Sequence, residues 1–245
     1  KNLKKDRIIS QQSKMIWMVQ MIENIAHQWR QPLSLISTIA SGLKIKNDAN
    51  ILDTKDASES LSSIVKTSKY LSNTIDDFRY FFEPEKEKNE FLLSACCNKA
   101  IELVSSSFKQ KGIDVNLIVE DDVRVCGYER GLIQVLINIL NNSKDAFTIQ
   151  IEERVIFIDV IRLKNKAIIE IKDNALGIEE SILEKIYEPY FTTKHKSQGT
   201  GIGLYMCQEI IVKHMDGRIQ TKNVNFTYNN KSQKGALTSI VLDAI

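Results

Sequence analysis

Several residues in this sequence have the types and spacing that chemistry needs. His27 stands five residues before Pro32 in the run Ile25-Ala26-His27-Gln28-Trp29-Arg30-Gln31-Pro32-Leu33. Neutral imidazole is available near pH 7, so an exposed histidine beside a bent backbone is suited to nucleophilic attack. Pro32 supplies the bend: inside a helix it removes the hydrogen bond to the carbonyl of Gln28, costs ~3 kcal/mol and kinks the chain. The plainer reading of His27 alone is an exposed polar residue on a helix surface.

A second set lies more than a hundred residues on. Asn138 and Asn142 are four apart and share one face of a helix. Their amide carbonyls are hard, neutral oxygen ligands of the kind that help hold Mg²⁺ beside waters and phosphates. Asn141 shows equally that the segment is simply asparagine-rich. Asp173-Asn174-Ala175-Leu176-Gly177-Ile178 closes a strand and opens a loop. A carboxylate there can accept the exocyclic amine of adenine, and Gly177 can supply a positive φ. An ordinary Asp-Asn turn also fits.

Gly199-Thr200-Gly201-Ile202-Gly203-Leu204 precedes a helix, and such glycines let backbone N–H groups approach phosphate. The spacing is neither the dinucleotide fingerprint nor the P-loop. Between the two glycine segments, Glu188-Pro189-Tyr190-Phe191-Thr192-Thr193-Lys194, with His195 and Lys196 beside it, fits a mobile lid whose lysines lie near phosphate. It also fits a surface loop with solvated cations.

The elements that must position these residues have two different periods. From Ile8 the chain keeps a heptad of Ile8, Met15, Ile22, Trp29, Ile36 and Leu43, with a second row through Met18, Ile25 and Ile39. This predicts a long helix with His27 opposite its apolar seam. Residues 47–54 read as a turn, and Leu61, Ile64, Leu71, Ile75, Phe78 and Phe82 mark a second helix. One such hairpin leaves its seam wet. Pairing two into a four-helix bundle removes that surface from water at about 25 cal/mol per Å², which predicts a homodimer.

Residues 1–83 thus form a helical hairpin, 84–90 a charged linker beginning at Pro84, and 91–245 a second domain. In that domain helices are expected at 95–109, 130–147 and 204–215. Strands are expected at 113–119, 155–162, 167–172 and 237–242. The class is α+β: a helical bundle followed by a two-layer α/β sandwich.

Composition limits the rest. The 245 residues carry 33 Lys and Arg against 31 Asp and Glu, a net charge of +2, with 43% hydrophobic and 26% charged residues. This excludes disorder and gives no charge to draw the chain to nucleic acid. No apolar run approaches the roughly 20 residues of a membrane span. Cys96, Cys97, Cys126 and Cys207 lack a CxxC spacing, which favours a reducing cytoplasm over a disulfide framework or a zinc site. Lys1 to Lys14 reads as the end of a connector from an upstream sensor domain absent from this chain, compatible with a membrane-anchored or a soluble full-length protein.

In order and kind, these segments resemble the sensor histidine kinases of two-component signalling, from about Met15 to Leu242. The stretch Ile25 to Leu33 is similar to the phospho-acceptor box, Asn138 to Asn142 to the N box, and Asp173 to Ile178 to the first glycine box. Tyr190-Phe191 lies in the F box, Gly199 to Leu204 matches the second glycine box, and Gly235 a remnant of a third.

The resemblance implies His27 as the phosphorylated residue and a sandwich of the gyrase, chaperone and kinase ATP-binding type. It implies ATP and Mg²⁺ as cofactors and a response-regulator receiver domain as partner. Asp173 would bind adenine, Asn142 would coordinate the metal, and Asn138 would orient phosphates. Asp145, Gly177, Tyr190, Lys194, Gly199, Thr200, Gly201, Gly203 and Leu204 complete the implied nucleotide site.

Three positions depart from the family pattern. Gln28 stands where an acidic base is common, and an amide cannot take a proton. Ala175 stands where the first glycine box usually has glycine. It would cost ~1 kcal/mol or more if that backbone needs positive φ. Gln31, four after His27, stands where threonine or asparagine often positions water for dephosphorylating the regulator, a task within the reach of an amide.

Gln28 and Ala175 also support a catalytically weak dimeric signalling scaffold that binds nucleotide poorly. An ATPase without phosphohistidine is a further reading, disfavoured by the hairpin that carries His27 and Pro32.

Overall fold

The computed structural model describes residues 30, 32–82, 87–148, 150–194 and 201–245. The described chain divides into two compact units, one ending at Phe78 and one beginning at Arg79.

The first unit is a helical hairpin. Residues 32–48 form α1, and α2 spans Thr54–Phe82. Pro32 is buried and lies in helical backbone. The turn between the helices places Asn50 at φ 55°, and an ion pair of 2.6 Å between Lys46 and Asp56 ties its two sides. Ile36, Ile39 and Leu43 of α1 are half-buried, as are Ile64 and Leu71 of α2, in keeping with the stripes read from spacing. Leu61 does not join that stripe. It is 54% exposed, beside the exposed Val65, because it sits about 60° around the helix from Ile64. Leu33, Leu35 and Ile45 of α1 are exposed as well.

The second unit pairs helices with a five-stranded sheet. Its strands are β1 (Asn89–Leu92), β2 (Ile113–Val119), β3 (Arg124–Gly127), β4 (Arg154–Leu163), β5 (Lys166–Asp173), β6 (Arg218–Tyr228) and β7 (Lys231–Asp243). The main sheet runs β2-β4-β5-β7-β6, and β1 and β3 form a separate antiparallel pair. Only β2 and β4 are parallel; the other neighbours in the main sheet are antiparallel. β1 begins inside the stretch read as a linker, because Asn89 and Glu90 pair with Gly127 and Cys126.

Helices α3 (Leu93–Gln110) and α4 (Glu129–Ala146) pack together over the sheet. The buried positions of α3 follow a helical stripe through Leu93, Cys97, Ala100, Val104 and Phe108. Alternating residues face them from the strands: Ile156, Ile158 and Val160 on β4, Ala167, Ile169 and Ile171 on β5, and Ile240 and Leu242 on β7. After the second glycine segment, α5 (Gly203–Gln208) gives way to a π-helical turn over Glu209–His214. The expected single helix therefore changes its hydrogen-bond pattern halfway.

α4 has two functions in the fold. Leu132, Val135, Leu136, Ile139 and Leu140 anchor it in the core, while Asn138, Asn142 and Asp145 lie off that stripe. Leu136→Ala leaves a void under this helix, and the expected cost is about 2–5 kcal/mol, measurable as a lowered urea midpoint.

Candidate nucleotide-binding site

The end of β5 and the middle of α4 meet at one carboxylate. Asp173 is 5% exposed, and its Oδ2 accepts a hydrogen bond from Ser143 Oγ of α4 at 2.7 Å. Its Oδ1 accepts from the backbone N–H groups of Ala175 at 3.0 Å and Ala236 at 3.1 Å. A buried carboxylate is tolerated because such donors replace water. It retains further lone pairs for an amine.

Asn174, 2% exposed, is equally constrained. Its Oδ1 accepts from Val155 N–H at 2.9 Å, and its Nδ2 donates to the Glu153 carbonyl at 2.8 Å. The Asp-Asn pair is thus built into the sheet end and is more than a surface turn.

The loop that follows resolves the Ala175 question. Ala175 is not in the left-handed region; Leu176 is, at φ 69°, followed by Gly177 at φ 79°. Alanine therefore costs nothing at its own position, and the backbone strain falls on a leucine that is 53% exposed. Gly235 approaches the same loop so closely that a Cβ there would overlap the Asp173 carbonyl oxygen. Ser143, Asn174 and Gly235 complete the surroundings of Asp173 at the end of β5. Asn174, inside the first glycine box, and Gly235, as a remnant of a third, gave a sequence signal; Ser143 gave none.

Along α4, Asn138, Asn142 and Asp145 follow helical spacing. Gln134 Nε2 donates to Asn138 Oδ1 at 3.4 Å. A Cβ on Gly203 would sit 3.9 Å from Asn138 Cγ, so the second glycine segment ends against the first asparagine. Leu204 is half-buried against the core. One turn along α4, the Lys194 ammonium donates to Asp145 Oδ2 at 2.9 Å and to Asn142 Oδ1 at 3.4 Å. Lys111 lies 3.9 Å from Asp145 Oδ1. Asn142 and Asp145 thus already accept a cation, which is the fit a hard metal ion requires.

Burial lowers the Lys144 pKa. Asp145 opposes the shift, while Lys111 and Lys194 add to it. The second glycine segment also meets the aromatic one: Gly201, at φ 66°, leaves no room for a Cβ beside the Tyr190 carbonyl, and Tyr190 itself is at φ 67°. Tyr205 on α5 is pushed well above the ordinary phenol range by burial and by Glu209, with Tyr190 adding to the shift.

The structure therefore gathers Asn138, Asn142, Asp145, Asp173, Gly177, Tyr190, Lys194, Gly201, Gly203 and Leu204 within the second unit. His27, Gln28, Gln31, Gly199 and Thr200 lie outside the described residues. Two substitutions test the loop geometry. Leu176→Gly relieves the left-handed strain and is expected to raise stability by about 0.5–1 kcal/mol. Gly235→Ala forces β7 away from β5 at about 1–3 kcal/mol or more. Both are read from denaturant midpoints.

Comparison with known proteins gives the same reading. Residues 17–87 match the His Kinase A (phospho-acceptor) domain, and residues 127–244 match the histidine kinase-, DNA gyrase B- and HSP90-like ATPase family. A sensor protein of Shewanella frigidimarina is 31% identical over 166 residues, which is 67% of this chain and 25% of that protein. The chain thus spans about a quarter of that relative's length.

The catalytic domain of histidine kinase ThkA superposes with a TM-score of 0.54 at 28% identity, covering 64% of this chain and 95% of that one. ThkA in complex with the response regulator TrrA gives a TM-score of 0.67 over 92% of this chain and 61% of that one. At 23% identity this match bears on the fold alone. With the phospho-acceptor model upstream of the ATPase model, the chain belongs to the sensor histidine kinases of two-component systems.

Proposed function

We propose that this chain uses ATP to phosphorylate His27 and passes the phosphoryl group to an aspartate of a response regulator. The observation that carries this reading is the joining of the cation-accepting pair, Asn142 and Asp145, to the buried Asp173 by α4 within one unit. Upstream in the same chain stands His27, five residues before Pro32.

Under this reading Asp173 accepts the exocyclic amine of adenine while Ser143, Ala175 and Ala236 hold its carboxylate in place. Asn142 and Asp145 would hold Mg²⁺, which when bound neutralises charge on the phosphates. Asn138 orients the polyphosphate, and Lys194 leaves Asp145 to meet phosphate oxygens. The lone pair of neutral His27 attacks the γ-phosphorus in line, forming an N–P bond as the P–O bond to ADP breaks. Gln28 takes no proton, so the imidazole proton leaves to solvent. A carboxylate oxygen of the regulator's aspartate then attacks the phosphorus, forming an acyl-phosphate O–P bond as the N–P bond breaks and the His27 imidazole leaves. ThkA, whose catalytic domain is 28% identical to this chain, is known in complex with the response regulator TrrA, which supports a response regulator as the partner.

A second copy of the hairpin is the proposed cover for Leu33, Leu35, Leu61 and Val65, which a single chain leaves exposed. Gln28 favours a second reading, a scaffold that binds nucleotide without phosphoryl transfer.

Incubation with γ-labelled ATP and Mg²⁺ separates the two. The kinase is expected to acquire label that is acid-labile and alkali-stable, absent from His27→Ala and chased onto a receiver domain. Nucleotide binding without label would support the scaffold.

A further inference from the structure

Strand β6 contributes no residue to the glycine or asparagine motifs, yet its side chains hold both the loop after Asp173 and the stem of the aromatic segment. The Asn223 amide pairs with both backbone groups of Ile178: it accepts from Ile178 N–H at 2.7 Å and donates to the Ile178 carbonyl at 2.6 Å. Its Nδ2 also donates to Glu180 Oε1 at 2.8 Å. One side chain thereby acts as a strand partner for the loop that leaves β5 after Asp173. Its Oδ1 fills the space left by a missing side chain, since a Cβ on Gly177 would lie 2.5 Å from that oxygen. Gly177 is therefore required twice, for its φ of 79° and for the room that Asn223 occupies.

Two residues back on the same face, Thr221 Oγ1 shares a hydrogen bond of 2.7 Å with the Tyr187 hydroxyl and one of 2.9 Å with Thr238 Oγ1. Tyr187 precedes Pro189 and Tyr190, at the stem of the aromatic segment that meets Gly201. Burial pushes its phenol up to about 12, with the Thr221 bond opposing, so it stays a neutral hydrogen-bonding group.

We propose that Asn223 is a positioning residue for the adenine end of the nucleotide site, fixing the backbone of residues 176–180 beside Asp173. This rests on the nucleotide-binding reading above. Without the amide, the Ile178 N–H and carbonyl lose their partners, and the loop that carries Gly177 can leave the pocket wall.

Asn223→Ala in the full chain tests this with two readouts. ADP affinity is expected to fall tenfold or more. Amide hydrogen exchange in the nucleotide-free protein is expected to speed up at 176–180 while β4 and β5 keep their protection. Asn223→Asp sets a carboxylate against the Ile178 carbonyl and Glu180, and it should be at least as weak. Adding Glu180→Gln removes the repulsion from Glu180 and should recover part of the affinity.

ADP affinity within twofold of wild type would overturn the proposal. So would loss of affinity with faster exchange across the whole sheet, which marks a merely structural role. A wild-type chain that binds no ADP contradicts the nucleotide-binding reading itself, whereas wild-type binding with an unaffected variant contradicts only the role of Asn223.

Discussion

A buried carboxylate must be paired, and in this protein the pairing of Asp173 sets the shape of the catalytic unit. Its three donors come from α4, from the loop after β5 and from β7, so one side chain joins a helix and two strands. Leaving an ionised group in that position without donors would cost several kcal/mol. Each of the three elements is thereby held to the position the carboxylate requires. The close approach of Gly235 follows from the same geometry, because β7 must come near enough for Ala236 to donate.

α4 carries this constraint to the phosphate side. Its apolar stripe fixes its rotation in the core, and that rotation turns Ser143 to Asp173 and places Asn142 and Asp145 where Lys194 reaches both. Lys111 and Lys194 flank Asp145, so cations outnumber the carboxylate there, and burial lowers the pKa of the neighbouring Lys144. The glycines at 177, 201 and 235 serve a different need, since at each a Cβ would collide with a neighbouring atom of the pocket wall.

Much of this was legible in the sequence, for identifiable reasons. Helical spacing placed Asn138 and Asn142 on one face, and apolar alternation located β2, β4 and β5. β6 escaped notice because its apolar residues, Ile219, Val224, Phe226 and Tyr228, do not keep a single alternation along the strand. Ser143 and Asn223 act through partners 30 and 45 residues away, which no local pattern reports. Gly177 has the positive φ expected of it, but the sequence leaves open whether Ala175 needs one too; the added strain lies at Leu176. Leu61 was placed on the intramolecular stripe because spacing alone does not separate two adjacent apolar edges of one helix.

The most direct measurement is calorimetric titration of the full chain with ATP and with GTP in the presence of Mg²⁺. The two nucleotides differ at the position Asp173 is proposed to read: adenine offers an amine donor and guanine a carbonyl acceptor. A buried carboxylate held by Ser143, Ala175 and Ala236 should bind ATP and disfavour GTP by at least about a hundredfold. Asp173→Asn should erase most of that preference. Equal affinity for the two nucleotides, or a preference that survives Asp173→Asn, would contradict the placement of adenine at Asp173.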